Sequence, residues 1–223
     1  MIKHKLIRRL LLIALLFMPL GMALPGETAA KKISDELAVG KYATLFQETS
    51  TKYHMDWRVI ASIALRESRC NPHVKPLKEK AWIYYTDRHG KALHIKGHGV
   101  ADIQAQAEAI LGGDEFEFQT HAHGITQLVG SVLRELGYTK KYPPVTVEEQ
   151  IYYTDLHLTR LIQSFTAKYN RPPNPVQIFA LYNGGYRSVT EFGVQPWVEA
   201  YAVHAMLYYY KVQLMQSIYV PIQ

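Results

Sequence analysis

The chain has 223 residues, of which 48% are hydrophobic and 20% are charged, and its formal net charge is +6 at pH 7. This composition is that of a folded globular protein and excludes a disordered or collagen-like chain. Its single cysteine, Cys70, excludes an intramolecular disulfide framework and a zinc site built from several thiolates.

The N-terminus carries a large part of the positive charge and no acidic residue, with basic side chains at Lys3, Lys5, Arg8 and Arg9. An apolar run over residues 10–20 follows, and small residues come after it. This order predicts a secretory signal peptide over residues 1–23, cleaved after Ala23 or, alternatively, after Ala30. An uncleaved N-terminal anchor is the other interpretation.

Export changes the meaning of the net charge. Removal of residues 1–23 takes away four positive charges and leaves +2 on residues 24–223. The remaining basic residues are scattered among acidic ones, so the sequence does not predict a nucleic-acid partner.

Residues 24–223 predict a single, mainly α domain, because no repeat or Pro/Gly/Ser-rich linker divides them. Ser34, Asp56, Thr146 and Asn174 are predicted to cap helices. Apolar periodicity and these caps predict helices over 34–53, 57–68, 102–111, 126–136, 146–169, 174–181 and 197–215.

Two other segments are not predicted to be helical. Aromatic and β-branched residues flank a polar turn at 87–90 and predict a small β-hairpin over 82–95. Residues 114–118, which alternate acidic side chains with phenylalanine, are predicted to form an acidic loop.

Glu67 is the first candidate for chemistry. Ile60, Ile63 and Ala64 precede it by seven, four and three residues, so its carboxylate lies on their apolar helical stripe. A carboxyl group directed into an apolar cleft holds its proton near neutral pH and can donate it to a leaving oxygen. A surface ion pair with Arg66 or Arg69 is the alternative reading of the same pattern.

Four segments in order strengthen the catalytic interpretation. Residues 67–72, ESRCNP, resemble the E-S-x-x-N-P motif of lytic transglycosylases of the goose-lysozyme-like class. Residues 124–127, GITQ, resemble the G-L-M-Q segment of that family, and residues 180–185, ALYNGG, resemble its A-x-x-Y-N-x-G segment. Tyr201 lies where the family carries another active-site tyrosine.

The resemblance implies a lysozyme-like helical domain and an enzyme of the periplasm. It also implies cleavage of the β-1,4 bond between N-acetylmuramic acid and N-acetylglucosamine in peptidoglycan glycan strands. The 6-hydroxyl of the muramic acid attacks its own anomeric carbon, which leaves a 1,6-anhydro end. Such a reaction needs one acid/base carboxylate instead of the usual pair.

Carried over to this chain, the resemblance assigns the catalytic acid and then base to Glu67. It implies substrate-binding roles for five further residues, Ser68, Gln127, Tyr182, Asn183 and Tyr201. Gln127 offers a donor and acceptors to a sugar, and the tyrosines offer hydroxyl groups. Gly184 and Gly185 are expected to let the backbone approach the sugar closely.

The chain departs from the family pattern in two places. Thr126 replaces the usual methionine, so the apolar contact expected there is smaller. An insertion of about 74–123 separates Glu67 from Gly124, and it resembles the specialised transglycosylases of conjugation, type IV secretion and pilus systems. Components of such an envelope machine are therefore possible partners, besides the peptidoglycan strands.

Two alternative functions remain open. One is a muramidase that hydrolyses the same bond, with Asp114, Glu115 or Glu117 activating water. The other is a non-catalytic, wall-binding scaffold of a secretion or conjugation system. No cofactor or metal is predicted, because the ten histidines do not match a helical zinc motif such as H-E-x-x-H.

Overall fold

The computed structural model describes residues 29–52, 54–75, 78, 84–141, 143–144 and 146–219. The predicted signal peptide, residues 1–23, lies outside these ranges. Within them, no helix combines the length and the apolar character that a membrane span requires. Of these described residues, those from Glu36 onward form one compact unit, and those up to Asp35 belong to another.

The mainly α fold class is confirmed. The helices, numbered in chain order, are α1 Ala29–Gly40, α2 Ala43–Lys52, α3 Trp57–Ser68, α4 Val100–Leu111, α5 Gly113–Thr120, α6 Gly130–Glu135, α7 Val147–Tyr169, α8 Pro175–Gly184 and α9 Pro196–Tyr219. The strands are β1 Ala122–His123, β2 Leu128–Val129, β3 Val189–Thr190 and β4 Gly193–Val194, and a 3₁₀ turn covers Gly185–Ser188. Strands β1 and β2 pair antiparallel, as do β3 and β4.

Three of the four predicted helix caps are confirmed, and the fourth is wrong, because Ser34 lies inside α1. The Asp56 carboxylate accepts a hydrogen bond from the Arg58 amide at 3.0 Å and begins α3. The Thr146 hydroxyl accepts from an amide in the first turn of α7, and Asn174 forms a complete capping box at the start of α8. Each cap supplies an acceptor to an amide that has no partner within its own helix.

Three of the predicted elements are wrong. The helix predicted over 34–53 is two helices, α1 and α2, because the chain turns at residues 41–42. Residues 114–118 belong to α5 instead of an acidic loop. Residues 126–127 lie in a turn, and α6 begins only at Gly130.

The predicted hairpin over 82–95 is reduced to a reverse turn and one isolated bridge, Thr86 to Ala92. The Gln119 side chain binds the outer edge of this turn: it accepts from the Thr86 amide at 3.0 Å and donates to the Thr86 carbonyl at 2.7 Å. The backbone groups of Thr86 are therefore bound by a side chain of α5. Residues 82 and 83 lie outside the described residues.

The core of the unit surrounds α3, which packs against α2 and α9. Ile60, Ile63 and Leu65 of α3 are almost completely buried. Phe179 of α8 and Phe165 of α7 close the same hydrophobic cluster. Burial of this apolar surface fixes α3, and with it the position of Glu67 at the end of that helix.

Asp155 of α7 is a charged residue within this core, with no exposed surface. Burial raises the pKa of its carboxyl group to about 7, and the Ser50 hydroxyl nearby offsets only part of that rise. A raised folded-state pKa means that the folded state binds the proton more tightly than the unfolded state. Stability contributed by this proton is therefore lost as the pH rises from about 4 to about 7.

We expect Asp155→Asn to raise the free energy of unfolding at pH 8 by up to about 4 kcal/mol, with a much smaller gain at pH 5. Thermal or urea unfolding at the two pH values measures the difference. Glu191→Gln removes an exposed carboxylate and is the control. A gain that is equal at both pH values would show that ionisation of Asp155 does not limit stability.

Candidate active site

Glu67 lies in the last turn of α3, and its side chain is half-buried with the Oε1 atom fully buried. The helix ends directly after it, because Arg69 and Cys70 both adopt left-handed backbone conformations with φ near 55°. Their amides donate to the carbonyls of Leu65 and Ala64 at 3.2 and 3.0 Å. This cap closes the helix and leaves the Glu67 carboxylate at the helix end.

Two tyrosines from other helices stand close to this carboxylate. They are Tyr182 of α8 and Tyr201 of α9. The pKa of both phenols lies well above the usual value. Burial is the larger cause, and the negative charge of Glu67 is the second. Both hydroxyl groups therefore stay protonated, and the Tyr201 hydroxyl can donate beside the carboxylate, whereas the Tyr182 hydroxyl donates to the Thr126 carbonyl. The Arg66 guanidinium lies 5.1 Å from the centre of the Tyr201 ring.

Ser68 joins the end of α3 to the turn between β1 and β2. Its hydroxyl donates to the Ile125 carbonyl at 2.5 Å and also lies 3.2 Å from the Ala64 carbonyl. The same oxygen accepts from the Asn71 amide at 3.1 Å. The hydrogen bonds of Ser68 in the structure are thus made to backbone, and its predicted contact with substrate stays a prediction.

The turn over residues 124–127 is held by α7. Gly124 has φ +76°, and a Cβ atom there would lie 2.5 Å from the side-chain carbon of Gln150, so only glycine fits. Gln150 accepts from the Ile125 amide at 2.6 Å and donates to the Pro144 carbonyl at 3.0 Å. The turn over residues 124–127 therefore contacts the end of α3 through the Ile125 carbonyl, which accepts from Ser68.

Thr126, the residue that departs from the family methionine, has a specific partner. Its hydroxyl lies 2.7 Å from the hydroxyl of Thr154, and both residues are buried. The Thr126 carbonyl accepts a hydrogen bond from the Tyr182 hydroxyl at 2.7 Å. A polar threonine pair therefore stands where the resemblance implies an apolar contact.

Gln127 is 9% exposed and has a left-handed backbone conformation with φ 55°. Its side-chain amide donates to the Gly124 carbonyl at 2.8 Å. Its Oε1 atom is buried and accepts no hydrogen bond from the residues that the structure describes. That oxygen is the acceptor that Gln127 has left for another donor group.

Asn183 is exposed at the end of α8, one residue after Tyr182. The expectation that Gly184 lets the backbone approach a sugar stays a prediction, and the structure gives this glycine a second role. A Cβ atom at Gly184 would lie 2.3 Å from the Trp197 indole, so the glycine admits a side chain of α9. Trp197 itself is 62% exposed.

Sequence reasoning missed three residues of α7 that contact this site, Gln150, Thr154 and His157. They are spaced by four and three residues, which places them on one face of the helix. The His157 ring lies 6.0 Å from the Tyr182 ring, edge to face. Burial lowers the pKa of His157 to about 4, so the imidazole is neutral. The shared helical face was the signal in the sequence.

The three carboxylates named for the muramidase alternative differ in their surroundings. Glu115 is 6% exposed and forms a bidentate ion pair with Arg134, with both N–O distances below 3 Å. Asp114 and Glu117 are exposed and line a separate cavity. Within the described ranges, no group of three or more His, Cys, Asp or Glu residues is arranged to hold a metal ion.

Comparison with known proteins adds no relative. No protein-family model matches the chain. None of the curated proteins gives a significant match, and none of the solved structures does.

Proposed function

We propose that this chain is a lytic transglycosylase that cleaves peptidoglycan glycan strands without hydrolysis. The observation that carries the proposal is the meeting of Glu67 with both tyrosines of the matched motifs, Tyr182 and Tyr201. These residues come from α3, α8 and α9 and are up to 134 positions apart in the chain. Their convergence on one carboxylate is what a single acid/base catalyst requires.

In the proposed reaction, protonated Glu67 donates its proton to the glycosidic oxygen as the bond to the muramic acid anomeric carbon breaks. The N-acetylglucosamine unit leaves with that proton. The Glu67 carboxylate then accepts the proton of the muramic acid 6-hydroxyl, whose oxygen bonds to the anomeric carbon. The products are a free 4-hydroxyl group and a 1,6-anhydro end, and Glu67 is protonated again.

The setting of Glu67 favours this scheme over hydrolysis. Hydrolysis with inversion or retention uses a second carboxylate near the scissile bond. Of the three acids in the insertion, Glu115 is bound by Arg134, and Asp114 and Glu117 line a cavity whose lining does not include Glu67. We also propose that the enzyme acts in the periplasm, where it opens the wall for an envelope-spanning machine.

Product analysis tests the proposal. The purified chain, freed of residues 1–23, is incubated with peptidoglycan, and the soluble fragments are analysed by mass spectrometry. Anhydro-muramic ends, which are 18 Da lighter than the hydrolysed ends by the mass of one water, are expected. Reducing ends alone would identify a muramidase, and no fragments at all would favour the wall-binding scaffold.

The two tyrosines are expected to act differently. Tyr201→Phe removes a hydroxyl beside Glu67 and is expected to lower kcat by about tenfold or more with little change in KM. Tyr182→Phe breaks the bond to the Thr126 carbonyl, so it is expected to lower stability by about 1–3 kcal/mol as well as activity.

Steady-state kinetics and urea unfolding of both variants separate these effects. Tyr210→Phe is the matched control, because Tyr210 is an exposed residue of α9. The assignment of Tyr201 fails if Tyr201→Phe and Tyr210→Phe have the same kcat as the wild type.

A further inference from the structure

A cavity of about 490 Å³ lies next to the candidate site and takes no part in the proposed reaction. Its size is within the range of small-molecule sites. His123 of β1 lines it and directly precedes Gly124, so the cavity adjoins the turn that carries Gln127. Most of its lining belongs to the insertion of about 74–123.

Two buried, stacked rings line the cavity and make part of it apolar. Phe118 and His123 are 6% and 8% exposed, and their rings stack with centres 4.9 Å apart. His123 Nε2 donates to the Phe118 carbonyl at 2.9 Å, since a carbonyl oxygen can only accept. Burial lowers the pKa of His123, which keeps the ring neutral in that hydrogen bond.

The walls carry charges of both signs on exposed side chains, with Lys75 and Lys141 facing the same cavity as Asp114 and Glu117. Lys141 and Asp114 form an exposed pair at 3.8 Å, which water weakens strongly. Lys75 and Glu117 form no ion pair with any residue that the structure describes. Charges of both signs therefore remain available to a ligand that enters the cavity.

A ligand that matches these walls carries carboxylates and an amino group together. A polyanion such as nucleic acid meets the two acidic residues, and a neutral sugar offers no opposite charge to Lys75 or Glu117. A short zwitterionic peptide satisfies both signs and can place apolar atoms on Phe118.

We propose that this cavity binds the peptide substituent of the glycan strand. The identity of the peptide rests on the proposed function, because the peptides of peptidoglycan carry free carboxylates and an amino group on the strand being cut. The insertion then selects strands that bear peptides, and it holds them beside the turn at residues 124–127.

Direct binding tests the cavity without reference to catalysis. A synthetic N-acetylated tetrapeptide of L-alanine, γ-D-glutamate, meso-diaminopimelate and D-alanine is titrated into the purified chain by calorimetry. Lys75→Glu and Glu117→Lys are each expected to raise the Kd about tenfold or more, as loss of a charge-assisted contact does. The control is Lys168→Glu, which changes an exposed lysine near the C-terminal end of α7. Lys168 does not line the cavity, so the Kd is expected to stay unchanged.

The outcomes separate this inference from the proposed function. With peptide-bearing and peptide-free glycan strands as substrates, Lys75→Glu is expected to raise KM for the first only. Cleavage that is normal in Lys75→Glu, together with unchanged peptide binding, overturns the cavity assignment and leaves the transglycosylase intact. A chain that cleaves no glycan overturns the proposed function, while calorimetry still decides whether the cavity binds the peptide. No binding of the tetrapeptide at millimolar concentration also overturns the assignment, as does equal weakening by Lys168→Glu.

Discussion

Glu67→Gln is expected to lower the rate of glycan cleavage by about 10³-fold, because the amide can neither donate the catalytic proton nor accept it back. The change is nearly isosteric, so the end of α3 and its backbone cap are expected to stay intact. The loss is expected in kcat, since the proton transfers occur in the transition state, while KM changes little. Release of anhydro-muramic fragments over time measures the effect.

The control for this experiment is Glu108→Gln, which makes the same chemical change at an exposed position of α4. It is expected to match the wild type in both rate and thermal stability. If Glu67→Gln cleaves glycan at the rate of Glu108→Gln, then the catalytic acid is another residue. Circular dichroism of both variants ensures that a lost activity reflects chemistry and not unfolding.

The framework around Glu67 was predictable because its signals are local. Asp56 begins α3, the apolar residues at Ile60, Ile63 and Ala64 fix the buried face, and Asn71-Pro72 stops further helix. Each of these effects acts within a few residues of chain. The same reasoning placed α7 and α8 from their capping residues.

The turn at residues 124–127 was not predictable from local pattern. Its sequence is followed by apolar residues at helical spacing, which indicated a helix over 126–136. The structure forms a turn instead, because Gln150 and Tyr182 bind the backbone of the turn from two other helices. Contacts between distant segments override local propensity here.

In the insertion, too, contacts between distant residues override the local sequence pattern. Residues 114–118 have little helical periodicity, and the sequence indicates an acidic loop. In the structure they form α5, since Glu115 is held by Arg134, nineteen residues later, and by Gln119. No spacing rule within one helix predicts a pair of residues from two helices, and a fully buried arginine is uncommon.

Arg134 is 1% exposed and holds the insertion to α6 and the segment after it. Its guanidinium donates to both carboxylate oxygens of Glu115 at 2.8 and 2.9 Å and to the Lys140 carbonyl at 3.0 Å. It also lies 4.2 Å from the centre of the Phe118 ring. Burial alone would raise the pKa of Glu115, but the hydrogen bonds from Arg134 and Gln119 outweigh it and hold the pKa below its usual value.

Arg134→Met is therefore expected to lower the free energy of unfolding by about 3–5 kcal/mol, because it leaves a buried carboxylate without its cation. Arg160→Met is the matched control, since Arg160 pairs with Glu135 at 3.5 Å on the surface, and it is expected to cost less than about 1 kcal/mol. Urea unfolding at pH 7 measures both changes.

The double variant Arg134→Met/Glu115→Met decides between two sources of that cost. If the isolated charge dominates, the double variant is more stable than Arg134→Met, because removal of Glu115 removes the uncompensated buried charge. If the lost bonds to backbone dominate, the double variant is no more stable than Arg134→Met, because the Tyr138 and Lys140 carbonyls stay without their donor in both variants. The bidentate geometry and the 6% exposure of Glu115 favour the first result, so we expect the double variant to recover part of the stability.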